Sequence, residues 1–589
     1  MAVVSQCSHE TKAPDAATTS HGQGTSPPAD LEKTPRDLYT GSENSQPDRL
    51  DHVEHALPTR QLLLAYLAIF VMMFVHELAS GIFRTLNPYV TSAFYRHSLT
   101  ATTTVVSSVV SAVIKLPFAK LIGIWGRMQG LALMVASLLI GIILMASCRN
   151  VETYCAAQVF YTVGFYGIRF SIIVFISDTT AIRNRAFLIG FTGSPVIATL
   201  WAFGPATDRI LATVGFRWGF GLWAPVYVAV CAPVFAVFYL TQKRLGSSLQ
   251  GDSVPAGRDS VSSRTWLQTV VHYCKIFDLA GVLIIATALS FLLLAVSIYS
   301  HQADEWRSPL IICLLVFGGL LIPTFAFYER YLAPVTFIPW SLFTNKTVIA
   351  SNIMVLTLQA AEMLSHAYFY SLLIVVFRQS ITHATYITNI YYIGSTVSSL
   401  MLGIILRRFG RIKYFALCVG VPLVMLGVGL MIKFRTAESH IGYIILCQIF
   451  VAFGGGILYP LEHITLMAVS DHEHVPALLA VESAFAETGK GIGYALAGAI
   501  WTGMFKDRLV GYLPQAEQSQ VDEIYGSINV QSSYPAGSPG FEAIAHAYGD
   551  TQRAILITSV GILVATLAST ACWKDIDVKK MKQLRDRAL

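Results

Sequence analysis

The sequence predicts an all-α, polytopic membrane protein with about fourteen membrane-spanning helices, and three observations predict it. Hydrophobic residues fill 54% of the 589 positions and charged residues only 13%, about half the charged share of an ordinary soluble domain. The apolar residues gather into runs of about 20, the length of helix that crosses a bilayer core. These runs are separated by polar breaks, and backbone in lipid must satisfy its own hydrogen bonds, which leaves the helix as the spanning unit.

In chain order, residues 1–58 come first. They are Pro/Ser/Thr-rich and charged, with too little apolar surface to offset chain entropy, and are expected to form a disordered cytosolic tail. No apolar run with a small-residue cleavage site opens the chain, so the first span is expected to serve as signal anchor. The apolar runs centre near Phe70, Ser108, Ala136, Tyr166, Pro195, Val230, Leu289, Phe317, Leu356, Ser395, Gly420, Gly455, Gly491 and Gly561. Six spans fill 59–242, a polar cytosolic loop takes 243–278, and spans seven to thirteen fill 279–505. An excursion follows at 506–552, then a last span at 553–573 and a basic tail at 574–589.

Lys and Arg collect in alternate connections: "KLPFAKLIGIWGRMQ", "TTAIRNR", the 243–278 loop, "LRRFGRIKYF" and the carboxy-terminal tail. Positive charge stays on the cytosolic side, so both termini are expected inside, as an even number of spans requires. The excursion at 506–552 then faces outside, and its length suits a functional loop or a solvated linker. The sequon Asn345-Lys346-Thr347 faces inside and is expected to carry no glycan. The net charge of +6 fits basic cytosolic loops and gives no sign of nucleic-acid binding. Nine cysteines show no CxxC pair and no zinc spacing. Cys148 and Cys155 flank one short loop and are read as unrelated thiols, since spacing alone does not make a bridge.

No nucleotide site is present. "AETGKGIG" has a Gly-Lys pair without the following Ser or Thr and without the upstream Gly of a phosphate loop. Gly489, Gly493 and Ala497 instead repeat every four residues, the small-residue pattern that lets membrane helices approach. Energy is therefore expected from an ion gradient. Ionisable residues inside spans are functional candidates, each set against a structural ion pair or a side chain snorkelling to the interface. Span one holds His76 and Glu77, span two Lys115, and span four Arg169 and Asp178. Span nine holds Glu362 and His366 on one helical face. Span twelve holds Glu462 and His463, and span thirteen Glu482, Glu487 and Lys490. Arg169 must find partners: a carboxylate such as Glu77 or Glu362, or an anionic ligand in a cavity. "SDHEHV" at 470–475 suits no standard zinc site, and no metal site is assigned.

Several segments carry a resemblance. "NPYVTSAFYRHSL", "VIKLPFAK", "NVETYCAAQVFYTVGFYG", "ISDTTAIRNRAFLIGFTGSPVIAT", "APVTFIPWSLFTNKTV", "GRIKYFALCVGVPLVMLGVGLMIKFR", "IGYIILCQIFVAFGGG" and "AGAIWTGMF" resemble the fungal siderophore–iron transporters, a branch of the major facilitator superfamily. The most specific block is "YGSINVQSSYPAGSPG" with "AYGDTQR", which resembles that family's outer loop before its final span. The resemblance covers about Leu62 to Lys574. It implies two six-helix bundles around a central cavity with two extra spans, no enzyme activity, no cofactor, and a monomer in the plasma membrane, with an endosomal or vacuolar membrane as the alternative. It implies import of a ferric siderophore with protons, the chelator itself satisfying the iron. Glu77, Arg169, Glu362, His366 and Glu487 fall on the expected substrate and proton path. Arg127, Asp178 and Arg185 fall on the gating loops, and Tyr525, Tyr534 and Tyr548 on the outer loop as substrate contacts.

The chain also departs from the family pattern. Gly123 or a neighbour stands where an Asp precedes the "GR" pair, Glu77 stands where many relatives have Asp, and Arg169 is unexpected after "FYGI". Two other transport readings stay open: a proton-coupled exporter of drugs and an exchanger of glutathione. "AFGPATDR" lacks the Gly pair that exporters carry after Gly-Pro. A membrane sensor with little transport is the reading from another class.

Overall fold

The computed structural model describes residues 59–125, 127–179, 191–249, 278–302, 304–333, 345–469 and 475–577. Fourteen helices of 14 to 38 residues lie among them. They are α1 (Thr59–Ala93), α2 (Thr100–Trp125), α3 (Arg127–Ser147), α4 (Val151–Thr179), α5 (Pro195–Thr213), α6 (Trp223–Leu249), α7 (Leu279–Ile298) and α8 (Pro309–Tyr331). They continue as α9 (Lys346–His366), α10 (Ile381–Phe409), α11 (Val421–Phe434), α12 (Ile441–Val469), α13 (Val475–Tyr512) and α14 (Pro539–Ala571). Each holds one of the apolar run centres, except that the run near Gly420 is centred in a π-turn just before α11. Eleven spans among the described residues are long and apolar enough to cross a membrane. The long helices outside that set are α2, α5 and α13, which occupy the places of spans two, five and thirteen.

Local chemistry sets several ends. Ser538 caps α14 by accepting from the Phe541 amide, with Pro539 at the first helical position. Ser380 caps α10 in the same way through His383, and Gly410 ends that helix at φ 76°, a conformation that favours glycine. Asn345, the sequon residue, is the N-cap of α9 and accepts from Thr347 at 3.0 Å.

Helices α1–α6 pack into one bundle and α9–α14 into a second, each around its own apolar core. The bundles meet where α2 lies on α13 and α5 on α10. At the second contact Asn389 donates to the Leu200 carbonyl at 3.3 Å and Tyr386 to the Trp201 carbonyl at 3.2 Å. Helices α7 and α8 stand outside the bundles: α7 packs on α2, α13 and α8, while α8 leaves Leu310, Val316, Phe317, Leu320 and Phe327 exposed. Such an apolar face suits lipid.

Close approach fixes the packing of α13 on α9. A Cβ at Gly489 would press into the Leu356 carbonyl, and one at Gly493 into the Ala360 carbonyl. Ala497, the third small residue of the repeat, is fully buried. The repeat is thus a helix-packing stripe, as its spacing predicts.

The excursion before the last span is shorter than the sequence predicts. Helix α13 continues to Tyr512 and α14 begins at Pro539. Between them lie three short helical turns, Gln515–Gln520, Val521–Gly526 and Ile528–Ser533. The polar stretch "HAYGDTQR", expected in a loop, is the first half of α14. Three of its side chains find partners inside the protein: Tyr548 donates to Gln531 at 2.7 Å, Thr551 to the Ala547 carbonyl at 2.8 Å, and Gln552 accepts from Arg435 at 2.9 Å.

Candidate functional site

Between the bundles lies a cavity of about 400 Å³, lined from α1, α2, α4, α5, α9, α10 and α13 and the short helix Phe369–Val375. Its walls are aromatic: Phe83, Tyr161, Phe165, Tyr370, Tyr391 and Tyr392 are among them. Of the candidates picked from the sequence, Glu362, His366, Glu487 and Lys490 line it. Glu487 accepts from Ser111 of α2 at 2.8 Å and pairs with Lys490 one turn on at 3.1 Å, so it joins the bundles and is neutralised locally. Glu362 accepts from the Tyr459 hydroxyl of α12 at 2.8 Å. Among the described residues it makes no ion pair. The His366 ring meets Phe369 edge-on at 5.9 Å.

Glu77 and Arg169 are not part of the cavity lining. They pair with each other at 2.6 Å, Glu77 buried and Arg169 half-exposed, and so tie α1 to α4. The guanidinium therefore takes the carboxylate partner rather than an open ligand position, and that partner is Glu77, not Glu362. His76 is held by Tyr227 at 3.1 Å and stacks on Phe165, which places it in the core of the first bundle. Arg127 opens α3 and is exposed. Asp178 falls in the last turn of α4, with its side chain outside the described residues, and Arg185 lies outside them altogether.

The sequence reasoning missed Arg84. Its guanidinium is open to the cavity, donates to the Tyr392 hydroxyl at 2.7 Å, and lies 5.4 Å from that ring and 6.0 Å from the Phe203 ring. No carboxylate pairs with it among the described residues. The signal was available: "IFRTLNPYV" places a cation two turns after Glu77 on the same face of span one. Arg435 was missed as well. It is buried, donates to the Ser365 carbonyl at 2.7 Å, and sits over the Phe369 ring at 4.2 Å.

One end of the cavity is closed by an aromatic plug. Trp501 is wholly buried and stacked between Tyr368 at 4.0 Å and Phe505 at 4.3 Å, with Tyr548 edge-on at 5.0 Å. Tyr89 of α1 and Tyr370 bring their hydroxyls to 3.4 Å across the bundles. Segment 513–538 covers this plug. Its Ile528 amide donates to Ser92 of the first bundle at 3.1 Å, and its Tyr534 carbonyl accepts from Arg378 of the second. Tyr534 is half-buried and donates to Gln520 at 2.9 Å. Burial, with Glu517 and Glu523 nearby, pushes its phenol up. Tyr525 packs against Phe505 at 6.2 Å. Tyr548 corrects the expectation of a surface contact: it lies in α14, fully buried, because its hydroxyl has an internal partner in Gln531.

Two six-helix bundles with a cavity between them are the architecture of the major facilitator fold. A profile of the Major Facilitator Superfamily matches residues 347–505. Among solved structures, a peptide transporter of the POT family superposes with TM-score 0.54 at 15% identity, covering 89% of this chain and 99% of that one. That likeness concerns the fold. In sequence, the chain is 46% identical to MFS siderochrome iron transporter 1 of Ajellomyces capsulatus over 89% of its length and 88% of the relative's. It is 37% identical to MFS siderochrome iron transporter D of Aspergillus fumigatus, covering 88% and 85%. It is 35% identical to siderophore iron transporter mirB of Emericella nidulans over the same shares. The chain belongs to the fungal siderochrome iron transporters of the major facilitator superfamily, a non-enzymatic class of membrane transport proteins.

Proposed function

We propose that the chain imports ferric siderophore chelates across the plasma membrane as a monomer, with Arg84 meeting the chelate and Glu362 carrying the coupling proton. The observation that carries this reading is a guanidinium that has no carboxylate partner among the described residues and is open to an aromatic-walled cavity, in a member of this family. A chelated iron is already coordinated, so the cavity needs no metal ligands. It needs aromatic surface and a few fixed polar groups. A ferric chelate whose ligand charge exceeds the three of Fe(III) is anionic, and a fork of guanidinium donors suits that charge.

Glu362 suits the proton because no cation pairs with it among the described residues: taking up a proton there breaks none of their ion pairs, whereas protonating Glu77 or Glu487 would strand Arg169 or Lys490. Tyr525 and Tyr534 belong to the segment over the plug and would meet the chelate on entry. The test is uptake of radio-iron-labelled chelates in a fungal strain stripped of its own carriers, with and without a protonophore. Uptake above the empty-vector strain that collapses with the proton gradient supports the reading. Uptake unchanged by the protonophore at constant ATP refutes the coupling, and no uptake of any ferric chelate refutes the substrate.

A further inference from the structure

A second polar cluster lies away from the cavity lining. Tyr459, whose hydroxyl reaches Glu362, and His463 four residues on share one face of α12. His463 stands between two carboxylates. Its Nδ1 lies 3.4 Å from Glu462 and its Nε2 3.6 Å from Glu482 of α13. One donor atom from each of the three residues falls within 4.8 Å of the others.

Three features set this cluster apart from a solvated acidic patch. Glu462 is wholly buried and neither of its oxygens accepts a hydrogen bond. Glu482 is buried too, and two buried carboxylates on either side of one imidazole repel each other unless a proton or a cation lies between them. The imidazole is also oriented: its Nδ1 donates to the Tyr459 carbonyl at 2.9 Å, which turns Nε2 toward Glu482. A metal-binding histidine holds its ring in this way, with the second nitrogen donating to a backbone carbonyl. The 3.6 Å between Nε2 and Glu482 is longer than an N–H···O hydrogen bond. It is close to the roughly 3.4 Å that separates donors on a tetrahedral metal with bonds of about 2.0–2.1 Å.

We propose that Glu462, His463 and Glu482 bind one divalent first-row transition cation between α12 and α13. The donor set selects the class: imidazole with carboxylates suits such metals, whereas calcium and magnesium take oxygen donors throughout. His463 is 41% exposed and gives a hydrated ion its entry, with Glu462 behind it. The bound cation fastens the connection end of α12 to α13, the end opposite the plug. It is distinct from the iron carried as chelate, which arrives with its coordination filled.

The test uses the purified full-length chain in detergent, titrated with cobalt(II) chloride near neutral pH. Bound cobalt is measured by elemental analysis after desalting, and thermal unfolding is followed with and without the ion. The expected result is one tightly held cobalt per chain and a higher unfolding midpoint. Glu462→Gln and His463→Gln should bind at least tenfold more weakly and lose the midpoint shift. Glu462→Gln keeps the side-chain shape, and its elution profile is compared with wild type to check that it is folded. Absence of retained cobalt in the folded wild-type chain overturns the proposal and leaves the cluster neutralised by protons. Equal retention by wild type and both variants places the ion elsewhere and overturns it as well.

Discussion

Replacing Arg84 by Gln tests the cavity directly. Arg84 donates to Tyr392 at 2.7 Å and rests near two aromatic rings, and these contacts are lost whichever chelate is transported. They cancel when an anionic and a neutral ferric chelate are compared in the same variant. What remains is the contact between the guanidinium and the chelate's negative charge. A hydrogen bond to a charged group contributes about 1.5–3 kcal/mol, and about 1.4 kcal/mol is tenfold in affinity. The ratio of anionic to neutral uptake at low substrate should therefore fall about ten- to a hundredfold in Arg84→Gln. Arg84→Lys keeps the charge but not the fork, so its loss should be smaller. The assay is competition by unlabelled charged and neutral chelates against a labelled one, at matched surface abundance. An unchanged ratio, with both chelates equally impaired, would refute Arg84 as the charge-reading group.

Glu362→Gln should abolish accumulation against a gradient while leaving exchange of labelled for unlabelled chelate, and loss of both would remove Glu362 from coupling. Arg169→Gln should impair all chelates alike and destabilise the folded chain by about 1–3 kcal/mol, the lower range because Arg169 is half-exposed. Adding Glu77→Gln should restore part of that stability, measured by thermal unfolding in detergent. Gly489→Ala should strain the α9–α13 contact by about 1–3 kcal/mol, read from the same unfolding curves. Tyr548→Phe leaves the Gln531 carbonyl oxygen without its donor and should cost about 1–3 kcal/mol, with no change in surface labelling of the 513–538 segment.

The helices were legible because apolar length and the 3.6-residue period act locally, and the packing stripe at Gly489, Gly493 and Ala497 was legible from spacing alone. The end of the excursion was not. Tyr548, Thr551 and Gln552 look like loop residues by polarity, yet each finds its partner inside the protein, Tyr548 in Gln531 of the excursion itself and Gln552 in Arg435, a distant part of the chain. Polarity predicts exposure only when no such partner exists. The same limit hid the roles of the cations. Arg169 and Arg84 are both single charges in apolar helices, and the sequence cannot tell which one meets a carboxylate. Arg435, near the end of α11, reads as an interfacial snorkel, but the Ser365 carbonyl and Gln552 hold it buried.

The segment over the plug is bonded to both bundles, through Ser92 on one side and Arg378 on the other. Opening on that face would break these bonds and unstack the rings around Trp501. Each contact that favours the closed face lowers the population of a conformation open there. A ligand arriving from that side meets a competent site for only a fraction of the time, and its apparent dissociation constant rises by the inverse of that fraction. If one molecule in about a hundred stands open, a micromolar site behaves as one of about a hundred micromolar. Loosening the strap would tighten apparent binding from that side without touching a single residue of the cavity.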